Sequence, residues 1–285
     1  MKLSIFIIAM ALCSQICVAQ TDSTAMDSAS SKSALTLAAV YSNNASYYGQ
    51  RAAEKIPYVA VAANYQVTSG LYFTAQTYKL LNDKISTLSA GSLGAGVNFK
   101  LAKNLTTDLS YSHSFYAANS PLLQAANADN ASIVLSYENW ITASLTGDYA
   151  FGKTNDAFVT AAFSKQISLF SISKKDVVTI TPSADVAGGT QHFYQTYIKE
   201  KKIRDSILRN LPVPIFGRPN SNRHADTVMT TGFNLLSYNF KLPLDYNRGN
   251  YVIEAAYQLS LLSDHVQAFT GNVNSFFTFS FYYQF

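Results

Sequence analysis

From residue 33 to the last residue, apolar and polar side chains alternate in segments of about ten, the period of two expected of β-strands. In the segment after residue 57, Val59, Val61, Ala63, Tyr65 and Val67 share one face and Asn64 and Gln66 the other. Thr68-Ser69-Gly70 reads as a tight turn into residues 71–80, where the alternation weakens. The next pair is clearer. Leu93, Ala95, Val97, Phe99 and Leu101 oppose Gly94, Gly96, Asn98 and Lys100. Beyond the turn Ala102-Lys103-Asn104, Leu105, Thr107, Leu109, Tyr111, His113 and Phe115 oppose Thr106, Asp108, Ser110, Ser112 and Ser114. Similar rows run through residues 132–138, 141–149, 178–186 and 251–260. Pro182 interrupts the third, and a bulge or bend is expected there because proline cannot donate to a strand ladder.

Connections alternate in length. Short turns are expected near Ser69, Lys103, Asn139, Ser173-Lys174-Lys175 and Arg248-Gly249-Asn250. Longer polar loops fall at 42–56, 81–89, 117–130, 195–228 and 263–274, with a short outer loop near Lys153 followed by a strand over 158–167. Short turns at one end and long loops at the other are the habit of membrane barrels. The pattern therefore predicts an all-β, antiparallel up-and-down transmembrane barrel of about twelve strands over residues 33–285, with ten or fourteen as alternatives.

Composition sharpens the choice. Charged residues make up 13 % of the 285 and aromatics another 13 %, against roughly 25 % charged in soluble domains. Mean hydropathy is only +0.04, and past the N-terminus no apolar run reaches the roughly 20 residues of a membrane helix. A barrel reconciles these values, because each strand shows only every second side chain to lipid. A secreted β-sandwich also alternates, but it does not explain the chain's ending. There Phe277, Phe279, Phe281, Tyr283 and Phe285 occupy one face of a terminal strand. Such a row suits contact with acyl chains, and a strand that closes the ladder leaves no free edge.

The start reads as an address. Met1-Lys2, an apolar stretch over 3–12 and the small-residue site before Gln20 predict a signal peptide over 1–19, followed by a Ser/Thr/Ala-rich periplasmic lead-in over 20–32. Leu12 before Cys13 and Ile16 before Cys17 are not the small residue a lipidation signal needs. Both cysteines lie in the removed segment, so the mature chain is expected to lack disulfides, thiolate metal sites and a cysteine nucleophile.

The terminal aromatic row resembles the recognition signal of outer-membrane β-barrels. The wider chain, including 180–197 (ITPSADVAGGTQHFYQTY) and 235–247 (LLSYNFKLPLDYN), resembles porin-like outer-membrane barrels of Gram-negative bacteria. The resemblance implies the outer membrane as location. It also implies barrel-assembly machinery and membrane lipid or lipopolysaccharide as partners. It names no solute.

Candidate chemistry is sparse. Neighbouring strand residues point to opposite faces, so His113 and Ser114 cannot form a nucleophile–base couple. Similar lipases carry His and Ser two apart on one face, and this chain departs from that pattern. His192, His224 and His265 show no metal-ligand spacing. No catalytic residue, metal or cofactor is assigned, and the modest net charge of +4 does not suggest nucleic acid.

The inward rows are expected to carry Lys100, Asp108, Glu138, Asp148, Asp185, Lys241 and Glu254. Two readings stand for them: ion pairs in a filled lumen, or a hydrated constriction that selects by charge. Lys100 and Asp108 flank one turn and should lie close together. In the longest loop, Ile203, Ile207, Leu208 and Leu211 have helical spacing over 198–211, and Pro212, Pro214 and Pro219 should end any helix. Its positive residues are Lys199, Lys201, Lys202, Arg204, Arg209, Arg218 and Arg223. It reads as a solvated loop on lipopolysaccharide phosphates, a plug folded into the pore, or a contact element for a surface ligand. The function expected first is passive, non-enzymatic permeation of small solutes. A surface-anchoring barrel and an outer-membrane lipid hydrolase are the alternatives.

Overall fold

Fourteen strands carry the alternating rows into a closed ring. The structure, a computed structural model, describes residues 33–83, 87–117, 120–209, 232–264, 266 and 271–285, with the backbone alone for 202–209. The expected signal peptide and lead-in lie outside the described residues, as does the loop over 210–231. The strands are β1 Ala34–Ser42, β2 Tyr58–Gln66, β3 Leu71–Leu80, β4 Ala90–Ala102, β5 Leu105–Tyr116, β6 Asp129–Glu138, β7 Thr142–Phe151 and β8 Asp156–Ser164. They continue as β9 Ile167–Phe170, β10 Asp176–Ile180, β11 Ser183–Gly189, β12 Asn234–Arg248, β13 Tyr251–Leu262 and β14 Val273–Gln284. A 3-10 turn, Leu123–Ala126, sits between β5 and β6, and one helix, α1 His192–Arg209, lies between β11 and β12.

Every pairing is antiparallel. β1 to β8 form a meander, β11 joins β8 to β12, and β12 to β14 lead back to β1. The seam pairs Thr36 with Gln284 and Ser42 with Thr278, so the ladder has no free edge there. The ring has twelve staves. β9 and β10 are not additional ones. β10 runs along β12 below β11, with Ile180 opposite Leu244 and Ser183 opposite Lys241. β9 pairs with β10 as β8 pairs with β11. Two staves are therefore each broken once, at residues 165–166 and at 181–182.

Two prolines explain the break. Pro182 falls opposite Leu242 and Pro243 opposite Thr181, one position apart across the interrupted register, and neither proline has an N–H to donate. Their carbonyls still accept: Lys165 N–H donates to Pro182 O at 3.2 Å and Thr181 N–H to Pro243 O at 3.1 Å. The ladder loses bonds at one level and resumes on both sides.

The two faces separate cleanly. The outer one is apolar and exposed, with Leu93, Leu109, Leu145 and Phe163 forming a belt. The aromatic row of β14 lies on this face, and Phe285 N–H donates to Leu35 O at 2.9 Å. The inner face carries small, mostly polar side chains such as Thr36, Asn64, Ser92, Ser144, Thr160 and Ser280, all buried. An apolar exterior on a closed hydrogen-bonded ring is the condition for crossing hydrocarbon with strands. Among the described residues, the larger apolar cluster lies at the long-loop end, and a smaller one of Ala38, Ala62, Val252 and Tyr282 lies on the inner wall toward the short-turn end.

Candidate functional site

The outer mouth of the ring is filled by the protein's own loops. The β1–β2 connection turns inward instead of outward. At its tip Tyr47 and Gln50 exchange backbone hydrogen bonds of 2.8 and 3.0 Å around Tyr48 and Gly49. Both central residues have positive φ, 50° and 78°, the geometry of a type I′ turn, which favours glycine and strains a tyrosine. Gly49 is required for a second reason. A Cβ there would lie 2.5 Å from Asn239 Oδ1 and 2.8 Å from Ser237 Oγ on the inner wall of β12. The turn is fastened to that wall: Ser237 Oγ donates to Tyr48 O at 2.9 Å and Asn274 Nδ2 to Gly49 O at 3.0 Å.

Against this turn packs the start of α1. Phe193 is fully buried, and its ring meets Tyr47 edge-on at 4.8 Å. Tyr48 stacks on Phe158 of β8 at 3.8 Å. Tyr194 and Tyr197 are buried with them, and Ala53 N–H donates to Tyr197 Oη at 3.2 Å. Burial, then the neighbouring Tyr197, push the Tyr194 phenol well above its ordinary range, so it remains neutral. The 3-10 turn adds Leu123 and Ala126 to the same cluster. Three separate loops thus share one apolar stopper.

One carboxylate ties the stopper to the wall. Asp156, the first residue of β8, is 1 % exposed. Its Oδ1 accepts from the backbone N–H of His192 at 2.7 Å and from Thr190 Oγ1 at 2.7 Å. Its Oδ2 accepts from Phe193 N–H at 2.9 Å and from Asn127 Nδ2 at 3.2 Å. His192 Nδ1 lies 3.1 Å from Oδ1. Asp156 is therefore the cap of α1 supplied from another strand, satisfying two N–H groups that the helix itself cannot. Its negative charge also suits the positive end of the helix dipole.

The structure starts α1 at His192, six residues before the helical spacing read at 198. The reason is this remote cap together with Phe193, Tyr194 and Tyr197, which supply the packed face. Of the loop's basic residues, Lys199 is exposed and Lys201 Nζ lies 3.7 Å from Glu54. Lys153 pairs with the intervening Glu200 at 2.5 Å. Side chains of Lys202, Arg204 and Arg209, and the residues Arg218 and Arg223, lie outside the described residues.

The charged residues assigned to the inner rows do not converge on one centre. Lys100 is exposed near the short-turn end, opposite Thr106. Asp108 lies opposite Asn98, two positions along, and accepts from Tyr72 Oη at 2.8 Å. Glu138 lies opposite Thr142 beside the short β6–β7 turn. Asp148 sits directly under the stopper and accepts from Tyr48 Oη at 3.1 Å and Asn130 Nδ2 at 3.3 Å. Asp185 accepts from Asn239 Nδ2 at 2.6 Å and pairs with Lys241 at 3.3 Å. Glu254 accepts from Ser280 Oγ at 3.2 Å. Opposite it stands Asp245, which sequence reading passed over. Its parity with Lys241 along β12 carried the signal. Asp156 was passed over too, although it shares parity with the polar row Thr160 and Ser164.

His113 points outward and lies 2.7 Å from Asp129 Oδ1, which also accepts from Tyr111 Oη at 2.5 Å. Ser114 is on the other face, paired with Ser92, and Leu93 is His113's partner on β4. A His–Asp pair is present there, but the serine beside it points away. His192 is held by Asp156, while His224 and His265 lie outside the described residues.

A sequence model of the Porin subfamily matches residues 23–144, somewhat under half the chain. No curated protein matches it in sequence. Among solved structures, the KdgM porin is similar with a TM-score of 0.49 and 7 % identity, over 88 % of this chain and 99 % of that one. A bacterial polysaccharide outer membrane secretin is similar with a TM-score of 0.45 and 9 % identity, over 91 % and 99 %. LpxR from Salmonella typhimurium has a TM-score of 0.45 and 7 % identity, over 88 % and 99 %.

Proposed function

We propose that this porin-like outer-membrane β-barrel is a narrow channel for small polar solutes, closed at its outer mouth by α1 and the β1–β2 turn. One observation carries the reading: twelve staves surround an inner wall made mostly of small polar side chains. About eight strands already give an interior just filled by side chains, and diameter grows with strand number. Here twelve staves enclose rows of Ser, Thr, Ala and Asn. The larger apolar cluster lies at the outer end, where the loop residues Tyr47, Leu122, Phe193 and Tyr197 pack with Tyr58, Tyr78 and Phe158 of the wall. A barrel serving only as an anchor has no need of a polar inner surface beneath a separate stopper.

The stopper supports gated rather than permanent flow. It is fastened by hydrogen bonds and ring contacts, not by the strand ladder, so it can leave without opening the barrel. Planar-bilayer recording of the purified protein tests this. Brief stepwise currents are expected from the intact chain. Longer and larger openings are expected when residues 192–231 are replaced by a short Gly/Ser linker. Silence from both at every voltage would turn the reading toward an anchor.

A further inference from the structure

We infer that the lumen below the stopper selects small cations, with the Asp245–Glu254 pair as its main selecting element. This rests on the channel reading above. Five carboxylates project into the inner wall between the stopper and the short-turn end: Asp108, Asp148, Asp185, Asp245 and Glu254. Facing the same space from those strands is one ammonium, Lys241, and it is committed to Asp185. Lys100 and Glu138, at the short-turn end, are of opposite sign and offset one another.

The carboxylates are not equally satisfied. Asp148 is held by Tyr48 and Asn130; Asp185 accepts from Asn239, and its Oδ2, which takes no hydrogen bond, is offset by the Lys241 ammonium 3.3 Å away. Asp245 is different. It is 7 % exposed, its Oδ2 has a long contact of 3.5 Å from Thr179 Oγ1, and no described protein group donates to its Oδ1. Glu254 lies directly opposite on β13 and takes its hydrogen bond from Ser280 of β14. Asp108 shows the same feature on β5, 6 % exposed and with Oδ2 lacking a protein donor.

Two acids placed side by side in a low-dielectric wall repel unless a cation or a proton lies between them. Rings of carboxylates are a recurrent device of cation-conducting pores. A wall of one sign also raises the local concentration of counter-ions and lowers that of co-ions. The chemistry recognised is therefore a small hydrated cation, inorganic or ammonium. Anions and large neutral solutes are disfavoured.

Reversal potentials test the inference. The intact chain and the double variant Asp245→Asn/Glu254→Gln, which keeps volume and shape, are compared in planar bilayers across a KCl gradient of about tenfold. The expected result is a reversal potential displaced toward K⁺ for the intact chain, with a cation-to-anion permeability ratio reduced at least about twofold in the variant. Currents that reverse near zero or toward Cl⁻ would overturn the cation inference while leaving permeation standing. So would a ratio unmoved by the double variant. Absence of current from the intact chain and from Asp156→Ala alike would overturn both.

Discussion

Asp156 concentrates more structural consequence than any other single side chain at the mouth. It receives two backbone N–H groups of α1, one hydroxyl and one amide, all while buried. Replacing it with alanine removes a helix cap, worth about 1 kcal/mol, and orphans buried donors at a further cost of roughly 1–3 kcal/mol. Taking about 2 kcal/mol as the net change, the balance between seated and released stopper shifts roughly thirtyfold. Asp156→Ala is therefore expected to lengthen open times strongly in single-channel records. Asp156→Asn, which keeps one acceptor oxygen, should fall between. Unchanged open times in the alanine variant would mean that the cap does not hold the stopper. Parity with Thr160 and Ser164 along β8 could have placed this carboxylate on the inner row, but the strand expected from sequence began at 158. Its partner could not be read that way, because the helix it caps begins 36 residues later.

Among the elements, the strands were legible and the helix only half so. Period-two alternation records the contrast between lipid and lumen directly, residue by residue, so the inner and outer rows of β2, β4 and β5 follow from it. Pro182 marked the interrupted stave, since a missing N–H has a local consequence. That Pro243 falls opposite Thr181, one position from the break, depends on register across strands and left no local trace. In α1 the aliphatic spacing at 203–211 suggested a helix; among the residues whose side chains are described, the packed ones are Phe193, Tyr194 and Tyr197, before that stretch. They look like loop aromatics until the inward turn at Tyr47–Gln50 is in place to receive them. Phe193→Ala empties the centre of this cluster, and large-to-small changes of buried aromatics cost about 3–5 kcal/mol. The expected outcome is a barrel that still resists unfolding in detergent but whose stopper is cut readily by added protease near α1. A variant as protease-resistant as the parent would contradict the central place given to Phe193.

At the scale of the whole molecule, the ring holds because its exterior is oily and its ladder closes on itself, interrupted only at the proline level of two staves. Leu145 lies on the outer face of β7, 49 % exposed to what is hydrocarbon in the membrane. Leu145→Arg is expected to destabilise the barrel by about 2–4 kcal/mol if the site is near the bilayer midplane. Equilibrium denaturant titration in lipid vesicles measures that directly. A cost near zero would imply an aqueous surrounding. Closure itself has a further implication. The seam joins Thr36 to Gln284, residues separated by nearly the full length of the polypeptide. Such distant partners make assembly slow, because most of the chain's freedom must be surrendered before they meet. The cylinder cannot be completed while its tail is still being delivered. Until the last aromatic strand arrives, the earlier ones offer bare edges and greasy flanks to any neighbour.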